Sequence, residues 1–192
     1  MPKLRWTFLG AIAFGAVAVL AVAGIHRATA PSRPAVDPLA HLDAKPLAQG
    51  IWISEQIVPE QLAALKSQGF LAVVDLRPDD EVAGQPPASA MSTAAAAEGL
   101  AFDYIPVSHG DVPSGAVDAL GRSLARHEKQ KPILLYCRSG RRAARTWALA
   151  EASRPGGMQA PAILNVVHQA GQDASDLAGQ IAVRIAARPA TP

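Results

Sequence analysis

The sequence predicts an α/β domain in which helices flank a mostly parallel sheet. Two apolar runs, 70–77 (FLAVVDLR) and 132–137 (PILLYC), are typical of parallel strands that are buried on both faces. Segments of helical character alternate with the predicted strands, which indicates crossover connections. In such sheets ligands bind beyond the carboxyl ends of the strands, which is where Arg77 and Cys137 are placed.

The individual elements are recognised by their ends and by their apolar pattern. A helix over 59–69 has proline in its first turn and glycine past its end, and Gly99 stops a second helix. Residues 102–107 alternate as a strand does. The predicted order is strand 51–54, helix 59–69, strand 70–77, helix 89–99, strand 102–107, helix 114–130, strand 132–137, helix 141–153 and two helices within 160–188.

Residues 1–29 are predicted to be an N-terminal transmembrane helix that acts as a membrane anchor. The run 6–25 carries no charge, and twenty helical residues cross a bilayer core of about 30 Å. Lys3 and Arg5 precede it, which favours a cytoplasmic N-terminus. We therefore expect a single-pass protein of the bacterial inner membrane whose catalytic domain lies in the periplasm.

A cleaved signal peptide is the alternative for this segment, and it would leave a free periplasmic domain. Ala28 to Ala30 resembles a cleavage site, although Pro31 should hinder cutting there. The residues that follow, 30–48, are rich in proline and are predicted to be an extended linker. The folded domain is expected over 49–187, and 188–192 form a short tail.

Composition excludes several classes of function. A formal net charge of +2 is too small and too dispersed for a nucleic-acid-binding protein. The single cysteine has no partner within the chain for a disulfide or a Cys-x-x-Cys redox motif. The five histidines are scattered, so we predict no metal site and no cofactor.

The residues that carry chemistry follow the second apolar run. Cys137 is succeeded by Arg138, Ser139, Gly140, Arg141 and Arg142 and then by a helical pattern. Consecutive backbone N–H groups in such a loop form an anion-binding nest, which the positive end of the following helix reinforces. A cysteine in this setting is expected to be a thiolate at neutral pH, and an inward arginine holds an oxyanion by two hydrogen bonds. The alternative is a small buried residue that ends a strand, but burial alone does not call for three arginines and a glycine.

Several separated stretches resemble the phosphatase-like domain of beta-lactamase hydrolase-like proteins: 50–81, 99–112, 132–149 and 163–177. The resemblance implies a protein-tyrosine-phosphatase-like fold with Cys137 as nucleophile, Arg142 as the anion-holding arginine, and Ser139 and Gly140 in the cradle. The loop has the length found in rhodaneses, where an arginine stands five positions after the cysteine. The Cys-x5-Arg loop of tyrosine phosphatases would place it at Ala143.

Other polar residues near the predicted site have competing explanations. Asp111 is at the place where phosphatases of this fold carry a general acid, but it could equally be a turn or capping residue. His109 is a second candidate proton donor, although loop histidines are more often solvated. Asp75 and Arg77 are expected to form a structural ion pair, and 78–81 (PDDE) a solvated turn.

Three functions remain open at this level. The preferred one is a sulfurtransferase that forms a persulfide on Cys137 and passes the sulfur to a thiol acceptor. The second is a phosphoric-ester hydrolase that works through a phosphocysteine, and the third is a non-catalytic module that binds an anion. All three imply a small anionic partner at the loop.

Overall fold

A computed structural model describes residues 42–130 and 132–189. Within these ranges the chain forms a five-stranded sheet in the order β1-β2-β5-β3-β4. The strands are β1 (Lys45–Ala48), β2 (Ile51–Ser54), β3 (Ala72–Asp75), β4 (Ala101–Tyr104) and β5 (Ile133–Tyr136). The helices are α1 (Leu62–Ser67), α2 (Ala88–Ala97), α3 (Ser114–Arg126), α4 (Arg141–Ser153), α5 (Ala160–Gln169) and α6 (Ala178–Ala186), with 3₁₀ turns at Pro59–Gln61 and Ser175–Leu177.

The sheet confirms the predicted α/β class. Strands β2, β5, β3 and β4 are parallel neighbours, whereas β1 pairs antiparallel with β2 through a tight turn. β1 corrects the predicted domain boundary, because Lys45–Ala48 belongs to the sheet and not to a linker that ends at Ala48. The proline-rich pattern obscured this strand. Pro46 is compatible with it because β1 is an edge strand, where a missing backbone donor is tolerated.

Helices cover both faces of the sheet, which is why the strands read as continuous apolar runs. In β5, Ile133 and Leu135 face the core under α3, α4, α5 and α6, while Leu134 and Tyr136 face the core under α1 and α2. All four side chains are fully buried. The alternation follows from the two-residue period of a strand, and it holds β5 and the residue after it firmly at the centre of the domain.

α4 is the helix that follows the cysteine loop, and it is buried almost along its whole length. Alanines at 143, 144, 148 and 152 allow close approach of α3, α5 and α6, and Trp147 fills the space between them with an exposure of 1%. A helix enclosed on so many sides cannot shift without disturbing the core. The loop at its N-terminus is therefore fixed to the two most rigid elements of the fold.

The far end of α4 is closed by an arginine from the C-terminal segment. Arg188 donates hydrogen bonds of 2.7–2.9 Å to the backbone carbonyls of Glu151, Ala152, Gly157 and Met158. Two of these carbonyls belong to the last turn of the helix, where the usual donor four residues on is missing, and that of Glu151 also accepts the N–H of Arg154. The chain can turn back here only because Gly157 has no side chain.

Gly157→Ala is expected to lower the free energy of unfolding by about 3 kcal/mol. A Cβ atom there would lie 2.4 Å from the Glu151 carbonyl oxygen and 2.9 Å from that of Arg154, and backbone atoms cannot move aside cheaply. Gly121→Ala in α3 is the matched control, since its Cβ meets nothing within 4 Å. The free energy of unfolding of the control should rise by about 0.5–1 kcal/mol. Urea denaturation of both variants measures the difference, and equal midpoints would contradict the expected clash.

The predicted anchor at 1–29 and most of the predicted linker lie outside the described residues. Among the helices of 42–130 and 132–189, none combines the length and apolarity needed to cross a bilayer.

Candidate functional site

Cys137 lies directly after β5, between the carboxyl ends of β2 and β3, as the sequence predicts. The residue is 1% exposed, so its sulfur lies at the bottom of the site. The chain then turns through Arg138 and Ser139 to Gly140, whose φ of 81° is in the left-handed region. Glycine reaches this conformation without strain. A Cβ at Gly140 would also approach Gln172 Nε2 to 3.2 Å, which explains the need for the smallest residue.

The first turn of α4 supplies the anion-binding groups that the sequence predicts. Gly140 is the N-cap residue, and among the described residues no side chain caps this end of the helix. The backbone N–H groups of Arg141, Arg142 and Ala143 have no intrahelical acceptor at these positions. The loop therefore presents uncapped donors and the positive end of a 13-residue helix to an anion.

Arg142 is brought to the cysteine, as predicted. Its guanidinium donates two hydrogen bonds to the Glu81 carboxylate and one, at 2.7 Å, to the Val107 carbonyl oxygen. Burial lowers the pKa of Arg142, but the hydrogen bonds to Glu81 and the nearby Cys137 sulfur raise it more, so the net shift is upward. The guanidinium is thus a permanent, oriented cation beside the thiol.

Glu81 is the residue that sequence reasoning missed. Its carboxylate binds Arg142 on one side and accepts a 2.9 Å hydrogen bond from Nε of Arg77 on the other. Hydrogen bonding to Arg142 in particular lowers the pKa of Glu81 to about 2. The prediction of a solvated turn at 78–81 is therefore wrong, because the turn delivers a largely buried carboxylate to the site. The available signal was the spacing of four residues from Arg77, which ends a central strand.

The expected ion pair between Asp75 and Arg77 is also not what forms. Asp75 Oδ1 accepts the backbone N–H of Arg77 at 2.8 Å, while the Arg77 guanidinium pairs with Glu81 and donates to Gln56 Oε1. Burial raises the pKa of Asp75 to about 6, and the hydrogen bond from Arg77 opposes the shift. Tyr136 is the register partner of Asp75, and its buried hydroxyl lies near this carboxylate without a hydrogen bond of normal geometry.

A second wall of the site comes from the segment between α5 and α6. Arg145, one turn after Arg141 on α4, forms a bidentate ion pair with Asp176. Gln172 donates a 3.1 Å hydrogen bond to the Ser139 carbonyl oxygen and so ties the same segment to the loop. Hydrogen bonding to Arg145 lowers the pKa of Asp176. These contacts tie the loop and α4 to the segment between α5 and α6.

Asp111 and His109 lie on the loop between β4 and α3, which borders the site. His109 Nε2 is 3.7 Å from Glu81 Oε1, and the side chain is 73% exposed. Asp111 is exposed, and its charge acts on Arg145. Both predicted proton donors are therefore near the arginine side of the loop, and neither is held by a hydrogen bond among the described contacts.

The remaining loop residues are at the surface. Arg138, Ser139 and Arg141 are exposed, in contrast to the buried Cys137 and Arg142.

In the described part of the chain no cluster of three or more His, Cys, Asp or Glu side chains could hold a metal ion. A groove of about 860 Å³ runs between α3, α4 and the β1–β2 turn, but it lies away from Cys137. The chemistry available at the site is thus a thiol, a fixed guanidinium and a ring of amide donors.

Comparison with known proteins shows the family to which this domain belongs. Residues 43–154 match the family model described as the beta-lactamase hydrolase-like protein, phosphatase-like domain. A beta-lactamase hydrolase-like protein of Agrobacterium fabrum is 32% identical over 100 residues, which cover 52% of this chain and 23% of that protein. One from Xylella fastidiosa is 32% identical over 99 residues, 52% of this chain and 22% of its own length. The matched region thus spans under a quarter of these relatives.

Solved structures agree on the fold. A candidate phosphatase from Neisseria meningitidis superposes with a TM-score of 0.59 at 24% identity, covering 72% of this chain and 96% of that one. The core catalytic domain of a PP-IP phosphatase from S. cerevisiae gives a TM-score of 0.51 at 14% identity, over 77% and 85% of the two chains. Both show the phosphatase-like α/β architecture. Because the family model spans more than half of the sequence, the chain belongs to the phosphatase-like domain family of beta-lactamase hydrolase-like proteins.

Proposed function

We propose that this domain is a cysteine-thiolate sulfurtransferase in which Cys137 carries sulfane sulfur as a persulfide. The observation that carries the proposal is the length of the loop. Arg142 follows Cys137 by five positions and already lies in the first turn of α4. The ring of amides therefore closes one residue earlier than a Cys-x5-Arg phosphate loop, as it does in rhodaneses.

The reaction follows from the groups present. The Cys137 thiolate attacks the outer sulfur of a donor such as thiosulfate, the donor's S–S bond breaks, and its electron pair leaves with sulfite. The amides of the first turn of α4 and the Arg142 guanidinium bind the oxygens of the departing anion. An acceptor thiolate then attacks the outer sulfur of the Cys137 persulfide, which gives a persulfide on the acceptor and regenerates the Cys137 thiolate.

The surroundings of the loop support sulfur transfer in a second way. Sulfite leaves as an anion and needs no proton, so the reaction does not depend on a fixed general acid. Asp111 and His109 are both exposed, and His109 contacts Glu81 while Asp111 acts on Arg145. A thiol that is 1% exposed also suits attack on a small terminal sulfur.

The second candidate is hydrolysis of a phosphoric ester through a phosphocysteine. It is favoured by the fold, because the structural relatives named above are described as phosphatases. In that reaction Asp111 would protonate the leaving alkoxide, and a water molecule would then release phosphate from Cys137. The third candidate, an anion-binding module without turnover, uses the same amides and Arg142. The domain is further proposed to work in the periplasm, tethered by the segment 1–29.

Mass spectrometry of the intact protein separates these candidates. After incubation with thiosulfate we expect a mass gain of one sulfur atom that a thiol removes. Because the chain has one cysteine, the adduct can form only on Cys137. Cys137→Ser should lower sulfur transfer at least about 10³-fold while it retains anion binding.

A parallel incubation with an aryl phosphate tests the alternative. Phosphate release that vanishes in Cys137→Ser, without any sulfur adduct on the unmodified protein, would overturn the sulfurtransferase. If both activities are absent but sulfate still binds, the site is a binding module.

A further inference from the structure

Five arginines lie around the carboxyl ends of the central strands, and they fall into two groups. Arg77, Arg142 and Arg145 are buried, and each is paired with a carboxylate, which is Glu81 for the first two and Asp176 for the third. Arg138 and Arg141 are exposed. Neither has a hydrogen bond or ion pair from its side chain among the contacts of the described residues.

Arg138 and Arg141 lie at the two ends of the loop that joins Cys137 to α4. The backbone carbonyl of Arg138 accepts a hydrogen bond from the N–H of Gln56, which places this residue beside the segment after β2. The charge of Arg141 acts on Asp176, so this residue is next to the opposite wall. The cradle of amides above Cys137 lies between them. Both residues border the cradle along the chain and both side chains are exposed, so their guanidinium groups are available to an anion bound there.

This arrangement is unfavourable for the empty protein. Cations at the N-terminus of a helix oppose its dipole, and Arg141 lies four residues before Arg145 on α4, where like charges repel. The three buried arginines form direct ion pairs with carboxylates, which offset this repulsion. Arg138 forms no direct ion pair among the described contacts, and Arg141 only shares the charge of Asp176, which is already paired with Arg145. A bound anion is the missing counter-charge. A single anionic group, however, would be bound by the amides and Arg142, and it would leave Arg138 and Arg141 without a counter-charge.

We infer that the substrate carries a second anionic group, which Arg138 and Arg141 bind while the reacting group occupies the cradle. The inference rests on the proposed use of the loop as the site of reaction at Cys137, and it names the substrate class. The substrate is a small molecule with at least two negatively charged groups, one reacting and one on the part that projects from the loop. Arginine suits this role because its planar guanidinium binds carboxylate, sulfonate or phosphate oxygens in pairs.

Isothermal titration of the full-length chain tests the inference with inorganic phosphate and pyrophosphate as probes. Cys137→Ser serves as the background, so that no turnover interferes. We expect pyrophosphate to bind at least about tenfold more tightly than phosphate, the factor of one added charge-assisted hydrogen bond. The double substitution Arg138→Ala/Arg141→Ala should remove that preference and leave phosphate affinity within about twofold.

Arg122→Ala is the matched control, since Arg122 is an exposed arginine on α3 that borders the distant groove. It should change neither affinity. Equal binding of the two probes, or an equal loss of both in the double variant, would overturn the inference. Thiosulfate labelling of the unmodified protein is scored separately. A negative labelling result with a retained pyrophosphate preference counts against sulfur transfer and not against the second anionic subsite.

Discussion

Arg142→Lys is expected to lower kcat/KM by about 10²–10³-fold and the free energy of unfolding by about 1–2 kcal/mol. The guanidinium donates two hydrogen bonds to Glu81 and one to the Val107 carbonyl oxygen, and it lies near enough to the Cys137 sulfur for the two charges to interact. An ammonium group on a flexible stem has no planar fork, so it can keep the ion pair with Glu81 only by leaving the anion cradle. Under the proposed sulfur transfer the loss should appear in kcat, since the contact of Arg142 to the departing anion would strengthen as the S–S bond breaks.

Arg145→Lys is the matched control for this substitution. It lies one turn further along α4 and is equally buried in a bidentate ion pair, but its partner is Asp176 on the other wall. We expect its effect on kcat/KM to stay within about fivefold, while stability falls by about 1–2 kcal/mol. Steady-state sulfur transfer to a thiol acceptor measures kcat/KM of the two variants, and urea denaturation measures their stability. Equal losses in the two variants would mean that Arg142 has only a structural role.

Glu81→Gln is expected to reduce kcat/KM by about 10–100-fold through Arg142 and not through contact with substrate. The carboxylate joins Arg77 and Arg142, so its neutral amide would hold only one of them by a charge-assisted hydrogen bond. Arg142 would then sample orientations that do not face the thiol. A positioning role predicts that Glu81→Asp restores part of the activity, whereas Glu98→Gln on an exposed position has no effect.

The same substitution should change how stability depends on pH. The pKa of Glu81 is about 2 in the folded protein, lower than its ordinary 4.5, so its contribution is fully present above pH 4.5. The contribution is lost as pH falls from 4.5 to 2, because the unfolded chain takes up the proton first. The pKa shift limits the contribution of Glu81 to the free energy of unfolding to about 3 kcal/mol. We expect about half of this value, since water reaches one side of the carboxylate.

Thermal unfolding between pH 2 and 7 measures this effect as the difference between the unmodified protein and Glu81→Gln. Taking the difference is necessary because Asp75, with its pKa raised to about 6, acts in the opposite sense. The contribution of Asp75 to stability falls as pH rises from 3.8 to 6. Parallel curves for the two proteins below pH 4.5 would show that Glu81 is not an ionic partner of Arg142.

Much of this architecture is predictable from local sequence. The strands β2, β3 and β5 and the helices α3 and α4 lie within their predicted ranges, and α2 begins one residue before its range, because apolar runs and glycine stops act over a few residues. The edge strand β1 was missed, because Pro46 and the proline-rich residues before it imitate a linker. Pairing with β2 decides its conformation, and pairing is not a local property.

The sequence by itself determined where the single thiol lies and which groups surround it at short range. Cys137, Gly140, Arg142 and the positive end of α4 lie within one short stretch of chain. Their geometry therefore follows from a strand, a turn and a helix in series. Only the tertiary structure decided how Arg142 is oriented, because its partner Glu81 is 61 residues away and arrives on a turn after a different strand. The packing of parallel strands brings Glu81 to Arg142, because the ends of these strands meet at one edge of the sheet whatever their distance along the chain. Arg77 became part of the site for the same reason, whereas Asp176 is brought there by the packing of the segment between α5 and α6 against α4.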